Sequence, residues 1–143
     1  MITFFFTFKG IGGVQVLIYN LMKELYKVNI RTKLIYHQDS WLTRELDKSD
    51  VEYDFFDLRY IKTKSLNQFI KHEDILCTPM LFMELVHFSK INPSILLWNV
   101  SPFTFDYKMN NCIYVRRLTR TILLRKMLNK KSLVFMDYLG VKS

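Results

Sequence analysis

Apolar and polar residues fall in blocks along this chain, and the period changes regularly from block to block. Ile2, Phe4, Phe5, Phe6 and Phe8 make an apolar, β-prone run, and Lys9-Gly10-Ile11-Gly12-Gly13 breaks it. Then Val14, Leu17, Ile18, Leu21, Met22 and Leu25 recur at helical spacing, with Gln15, Asn20, Lys23, Glu24 and Lys27 between them. The pattern predicts a strand, a glycine turn and an amphipathic helix. Arg31 to His37 reads as a second strand, spaced from the first as in a right-handed βαβ crossover.

The alternation continues. Asp39 to Lys48 predicts a short helix capped by Ser40, with Leu42 and Leu46 inward, and Val51 to Leu58 a third strand. Lys64 to His72 should be helical through Leu66, Phe69 and Ile70; Asp74 to Thr78 should be a buried fourth strand stopped by Pro79. Met80 to Ile91 reads as a helix ended by Asn92-Pro93, and Ser94 to Val100 as a fifth strand, apolar throughout as a central parallel strand should be. Leu133 to Met136 reads as a further strand. Strands alternating with helices predict a doubly wound, mostly parallel, Rossmann-like α/β sheet of about six strands with helices on both faces.

Composition narrows the class. Half of the 143 residues are apolar, which suits one packed domain spanning residues 1–143 and excludes a disordered chain. No run approaches the ~20 apolar residues that cross a bilayer, and the first apolar run lacks the basic start and small-residue cleavage site of a signal peptide. A cytoplasmic chain is expected. Cys77 and Cys112 have no zinc or redox spacing and read as buried thiols; Asp54 and Asp57 do not make an Asp-x-Asp metal signature and read as solvated strand-end charges. His37, His72 and His87 show no metal or triad spacing, so neither a metal nor a cofactor is expected.

Ligands of open parallel sheets bind beyond the carboxyl ends of the strands, which directs attention to the segments that follow each strand. At the first, a helix opened by glycines points its free N–H groups and positive dipole end outward, a setting for an anion such as phosphate. A purely structural turn asks for glycine too, because glycine tolerates positive φ and lets another backbone or a ligand approach closely, and the two readings stand side by side. The dinucleotide fingerprint is excluded, since Gln15 stands where the third glycine would fall, and no Gly-Lys-Ser or Gly-Lys-Thr makes a P-loop. After the fifth strand, Asn99, Ser101, Phe103 and Asp106 combine an aromatic face with amide, hydroxyl and carboxylate groups, the mix that sugar acceptors want; simple packing is the competing use of such a loop.

The run from Gly12 to Leu25 (Gly-Gly-Val-Gln-Val-Leu-Ile-Tyr-Asn-Leu-Met-Lys-Glu-Leu) resembles the first loop and helix of family 4 glycosyltransferases, which are retaining GT-B enzymes. The resemblance implies two Rossmann-like domains facing across a cleft, the first holding the acceptor and the second most of the sugar nucleotide. It implies that Gly12 and Gly13 approach the donor diphosphate from the acceptor side, and that the donor-binding domain, with its paired glutamates, lies outside this sequence. Asn99 and Ser101 stand where many members carry a histidine, and Asp137 where a serine is usual.

Charge adds a partner. The formal net charge is +8, and removing the seven basic residues between Arg116 and Lys131 leaves +1, so the basicity is local. No acidic residue occurs between Asp106 and Asp137. Helical spacing sets Arg116, Arg117 and Arg120 opposite Tyr114, Val115, Leu118 and Ile122, while Arg125 and Lys126 lie beside Leu124 and Leu128. The segment resembles the membrane-surface element of lipid-acceptor members of the same family, and a solvated charged face is the alternative. Nucleic acid ranks last, because no recognition-helix or RNA-module pattern accompanies the charge. The expected function is transfer of a sugar from a nucleotide sugar to a surface-polysaccharide or lipid-linked acceptor, at the inner membrane face, once joined to a donor domain. The alternative is a non-catalytic membrane-recruiting subunit that docks a separate donor-binding chain. The isolated chain is expected to be inactive.

Overall fold

A computed structural model describes residues 1–79, 82–98 and 133–136. In chain order the elements are β1 (Ile2–Phe5), α1 (Gly13–Lys27), β2 (Thr32–Tyr36), α2 (Trp41–Asp47), β3 (Tyr53–Asp57), α3 (Ser65–Phe69), β4 (Ile75–Thr78) and β5 (Ser94–Trp98). The strands form an all-parallel sheet in the order β3-β2-β1-β4-β5, a Rossmann-like α/β arrangement. Residues Leu133–Met136 lie in parallel register beside β5, with Leu133 opposite Ile95.

Strand β1 is central and covered on every side. Phe4 lies between Leu34 of β2 and Cys77 of β4, and Phe4, Phe5 and Phe6 are all buried. Phe5 meets the edges of Phe82 and Phe88, while Phe6 stacks on Tyr36 with ring centroids 4.0 Å apart. A strand closed in this way has no solvent face, which is why its sequence is apolar apart from Thr3, itself buried with its hydroxyl unpaired.

Local signals set the helix ends. Ser40 and Thr43 form a reciprocal capping box at the start of α2, with Leu42 and Leu46 buried as their spacing requires. Helix α1 ends in a Schellman turn: Ile30 N–H donates to Leu25 O, Asn29 N–H donates to Tyr26 O, and Asn29 takes the left-handed φ of 58°. The expected helix over residues 80–91 is instead a 3-10 turn, Met83–Phe88, entered through an extended Phe82. Phe82, Leu85 and Phe88 are the buried residues, a spacing of three that a 3-10 turn stacks on one line and an α-helix would spread. Helix α3 is likewise shorter than the apolar spacing implied, because Ile70 has already turned to extended backbone.

At the amino end of the sheet a charged pair is sealed inside. Lys33 is 6% exposed and Asp74 2%; Lys33 Nζ donates to Asp74 Oδ2 at 2.7 Å and to the carbonyl of Phe69 at 2.7 Å. Asp74 also accepts the Lys71 N–H at 3.0 Å and lies 3.2 Å from the Met1 amino group. Burial pulls its carboxyl pKa upward, but these donors, led by Lys33, outweigh burial and leave it below its usual value. Replacing Asp74 by Ala strands a buried ammonium, and urea denaturation should register a loss of about 3–5 kcal/mol. Because the folded carboxyl titrates lower than the unfolded one, its contribution is full above the ordinary aspartate range. It disappears as pH falls through the depressed folded value, so wild type and Asp74→Ala should converge in stability in acid.

Candidate functional site

The strand order reverses direction at β1, with β2 and β3 on one side and β4 and β5 on the other, so the carboxyl ends of β1 and β4 flank the switch point. The chain leaves β1 through Phe6 and Thr7 into an exposed loop, Phe8 to Gly12, before α1 begins. Gly12 and Gly13, read from the sequence as the anion-facing pair, are both solvent-exposed at this end of the sheet. Phe8 is 59% exposed and Ile11 69% exposed, and the Phe8 ring meets the edge of buried Phe82 beyond β4.

The first hydrogen bond of α1 runs from Val16 N–H to Gly12 O, and no side chain caps the helix. The N–H groups of Gly13, Val14 and Gln15 therefore precede the helical ladder, at the end where the dipole places about half a positive charge. Lys9, exposed in the same loop, has no partner among the described residues. The arrangement can hold an anionic oxygen by backbone donors; no cluster of metal-ligating side chains occurs among the described residues.

Two details depart from expectation. Among the described residues no glycine has positive φ, and Gly12 is plainly extended, so the turn does not use the left-handed conformation. Gly12 leaves room for its neighbour: a Cβ there would lie 3.2 Å from Gln15 Oε1 and ask that amide to give by a few tenths of an ångström, whereas Gly13 faces open surroundings. Gln15, one of the polar residues between the apolar positions of the helical period, is 5% exposed and shares its face of α1 with buried Ile18 and Met22. Its Nε2 donates to the carbonyl of Phe8 at 3.1 Å, and the Tyr36 hydroxyl donates to the same carbonyl. Burial pushes the Tyr36 phenol above its ordinary pKa, and a hydrogen bond with Gln15 draws it partly back. His37 Nε2 lies 2.8 Å from Thr7 O. The loop is thus tied from beneath by α1 and from the side by the end of β2.

The end of β3 carries a second polar cluster. Asp57, expected to be solvated, is buried because Arg59 satisfies it: Arg59 N–H donates to Oδ1 at 2.9 Å, and Nε and Nη2 donate to Oδ2 at 2.9 and 2.6 Å. The Arg59 side-chain bonds hold the carboxyl below its usual pKa against the pull of burial. Asp54 pairs with Arg31 across the strand edge. The acceptor set Asn99, Ser101, Phe103 and Asp106, and the basic set Arg116, Arg117, Arg120, Arg125 and Lys126, lie outside the described residues. None of the described helices is long and apolar enough to cross a membrane.

The fold is that of a Rossmann-like parallel α/β domain with a glycine-opened helix at its switch point. Beyond that class, comparison with protein-family models, curated proteins and solved structures finds no match.

The packing of Gln15 against Gly12 generates a test. Gln15 is held by its bonds and cannot retreat cheaply, so Gly12→Ala should lower the melting temperature. Gly13→Ala, at the first helical position in open space, should leave it unchanged or raise it by the ordinary helix preference for Ala over Gly, up to about 1 kcal/mol. In a Gln15→Ala background the Gly12→Ala penalty should vanish, a coupling that a double-mutant cycle reads directly.

Proposed function

We propose that this chain is the acceptor-side domain of a GT-B glycosyltransferase, acting with a donor-binding domain to move a sugar from a nucleotide sugar to a surface-polysaccharide or lipid-linked acceptor. The observation that carries the reading is the uncapped, exposed start of α1 at the carboxyl end of the central strand. In this reading the sheet is doubly wound, with helices on both faces and Leu133–Met136 as its sixth strand. Such a domain contributes position: it brings an acceptor hydroxyl to the sugar carbon, while its free N–H groups meet the diphosphate that departs. Most of the stabilisation of that leaving charge belongs to the donor-binding half. The basic segment from Arg116 to Lys131 supplies attraction to an anionic leaflet, where a lipid-linked acceptor resides.

The α1 start lends itself to a clean experiment. Proline suits the first position of a helix, and Gly12 already has the extended backbone that a residue before proline prefers, so Gly13→Pro deletes one donor without opposing the fold. Titration with inorganic pyrophosphate, followed by amide NMR, should move the resonances of Gly12 to Gln15. The affinity should fall roughly tenfold in Gly13→Pro, the scale of one hydrogen bond to a charged group. Absence of any shift in this loop would remove the anion-binding reading. The purified chain alone should transfer no sugar from any nucleotide sugar, and turnover without a second domain would overturn the division of labour proposed here.

A further inference from the structure

The far end of α1 borders a groove of about 520 Å³, within the range of roughly 300–1,000 Å³ typical of small-molecule sites. Its walls come from the last turns of α1, the end of α2 and the residues leading into β3, with Tyr19, Lys23, Tyr26, Glu45 and Asp50 supplying most of its chemistry. The ammonium groups around it are already engaged. Lys48 pairs with Glu45 at 2.8 Å, Lys27 pairs with Glu24 at 2.6 Å, and Lys23 sits 5.1 Å above the ring of Tyr19. Both helices also present their carboxyl ends here, where the dipole is negative. A phosphate or an acidic headgroup therefore finds neither a free cation pair nor a favourable field.

What remains unused is of a different kind. The Asp50 carboxylate is exposed and has no partner among the described residues, and one Glu45 oxygen is left free by Lys48. Tyr26 is a half-buried ring that borders the same space; Tyr19 lines it too, but its ring already carries Lys23 and meets Trp41. Rings that cover an apolar face, beside carboxylates that accept from hydroxyl groups, are complementary to an uncharged sugar. We propose that this groove binds a neutral oligosaccharide, with a pyranose face on Tyr26 and its hydroxyls donating to Asp50 and Glu45. The role given to it rests on the acceptor-domain reading above. Tyr26 lies thirteen residue steps along α1 from Gly13, roughly 20 Å at 1.5 Å per residue, so the groove holds a polymeric acceptor at a distance from the end being extended.

The test uses maltotriose, cellotriose and N,N′-diacetylchitobiose as probes, each at millimolar concentration, in saturation-transfer NMR with the full chain. At least one should receive saturation from the protein. Tyr26→Ala should weaken its binding about tenfold, the scale expected for loss of an aromatic platform. Because Tyr26 is half-buried, Asp50→Asn serves as the second variant: it changes an exposed group, should leave the melting temperature unchanged, and should weaken the same sugar several-fold. Gly13→Pro, at the opposite end of α1, should bind the sugar as wild type does. The proposal is overturned if none of the three sugars binds, if binding ignores both Tyr26→Ala and Asp50→Asn, or if pyrophosphate displaces the sugar. Since the pyrophosphate titration reads only the glycine turn, failure of the groove and failure of the acceptor-domain reading give different results.

Discussion

The backbone of β1 is paired on both edges and packed on both faces, and that enclosure governs the rest of the molecule. A parallel strand buried this deeply leaves only its two ends for polar chemistry. At the amino end the structure accepts charge inside the protein but neutralises it completely, with Lys33 and Asp74 bound to one another and to backbone groups. At the carboxyl end the strand opens into a loop whose apolar tips and helix start face outward. The two ends are thus chemically opposite: at one the buried charges are paired with each other, at the other backbone donors are left to spare.

Much of this architecture was legible in the residues themselves. Where a decision was local, the pattern sufficed: the apolar run of β1, the helical period of α1, and the Ser40 cap with Leu42 and Leu46 beneath it all follow from neighbours in sequence. Where it depended on how side chains pair in space, the pattern misled. Lys33 gives no sign of burial until β4 brings Asp74 beside it. Asp57 looks like a strand-end charge until Arg59 folds back on it. The segment after β4 has apolar residues compatible with an α-helix, and only the demands of Phe5 select the spacing of Phe82, Leu85 and Phe88.

The candidate site divides in the same way. Exposure of Gly12 and Gly13 followed from their place between a strand and a helix, but the reason for glycine did not. Of the two rationales the sequence offers, positive φ and close approach, the structure uses only the second at Gly12, and the group that approaches is Gln15, a polar side chain that turns inward. A glutamine two residues past the second glycine is informative in retrospect, because a buried amide in the first helical turn can reach back to a loop carbonyl. Helix α1 then links two regions of unlike chemistry, a donor-rich start and a groove of rings and carboxylates at its end.

Cys77 adds a property of another sort. It lies in β4 directly opposite Phe4, and burial pushes its thiol up to about 11. Only the thiolate reacts with disulfide reagents, so the group is silent while the sheet stays closed. With Cys112 changed to serine, the speed at which Cys77 is labelled becomes a clock for the opening of the packing over the central sheet, set by how often the core of the molecule breathes.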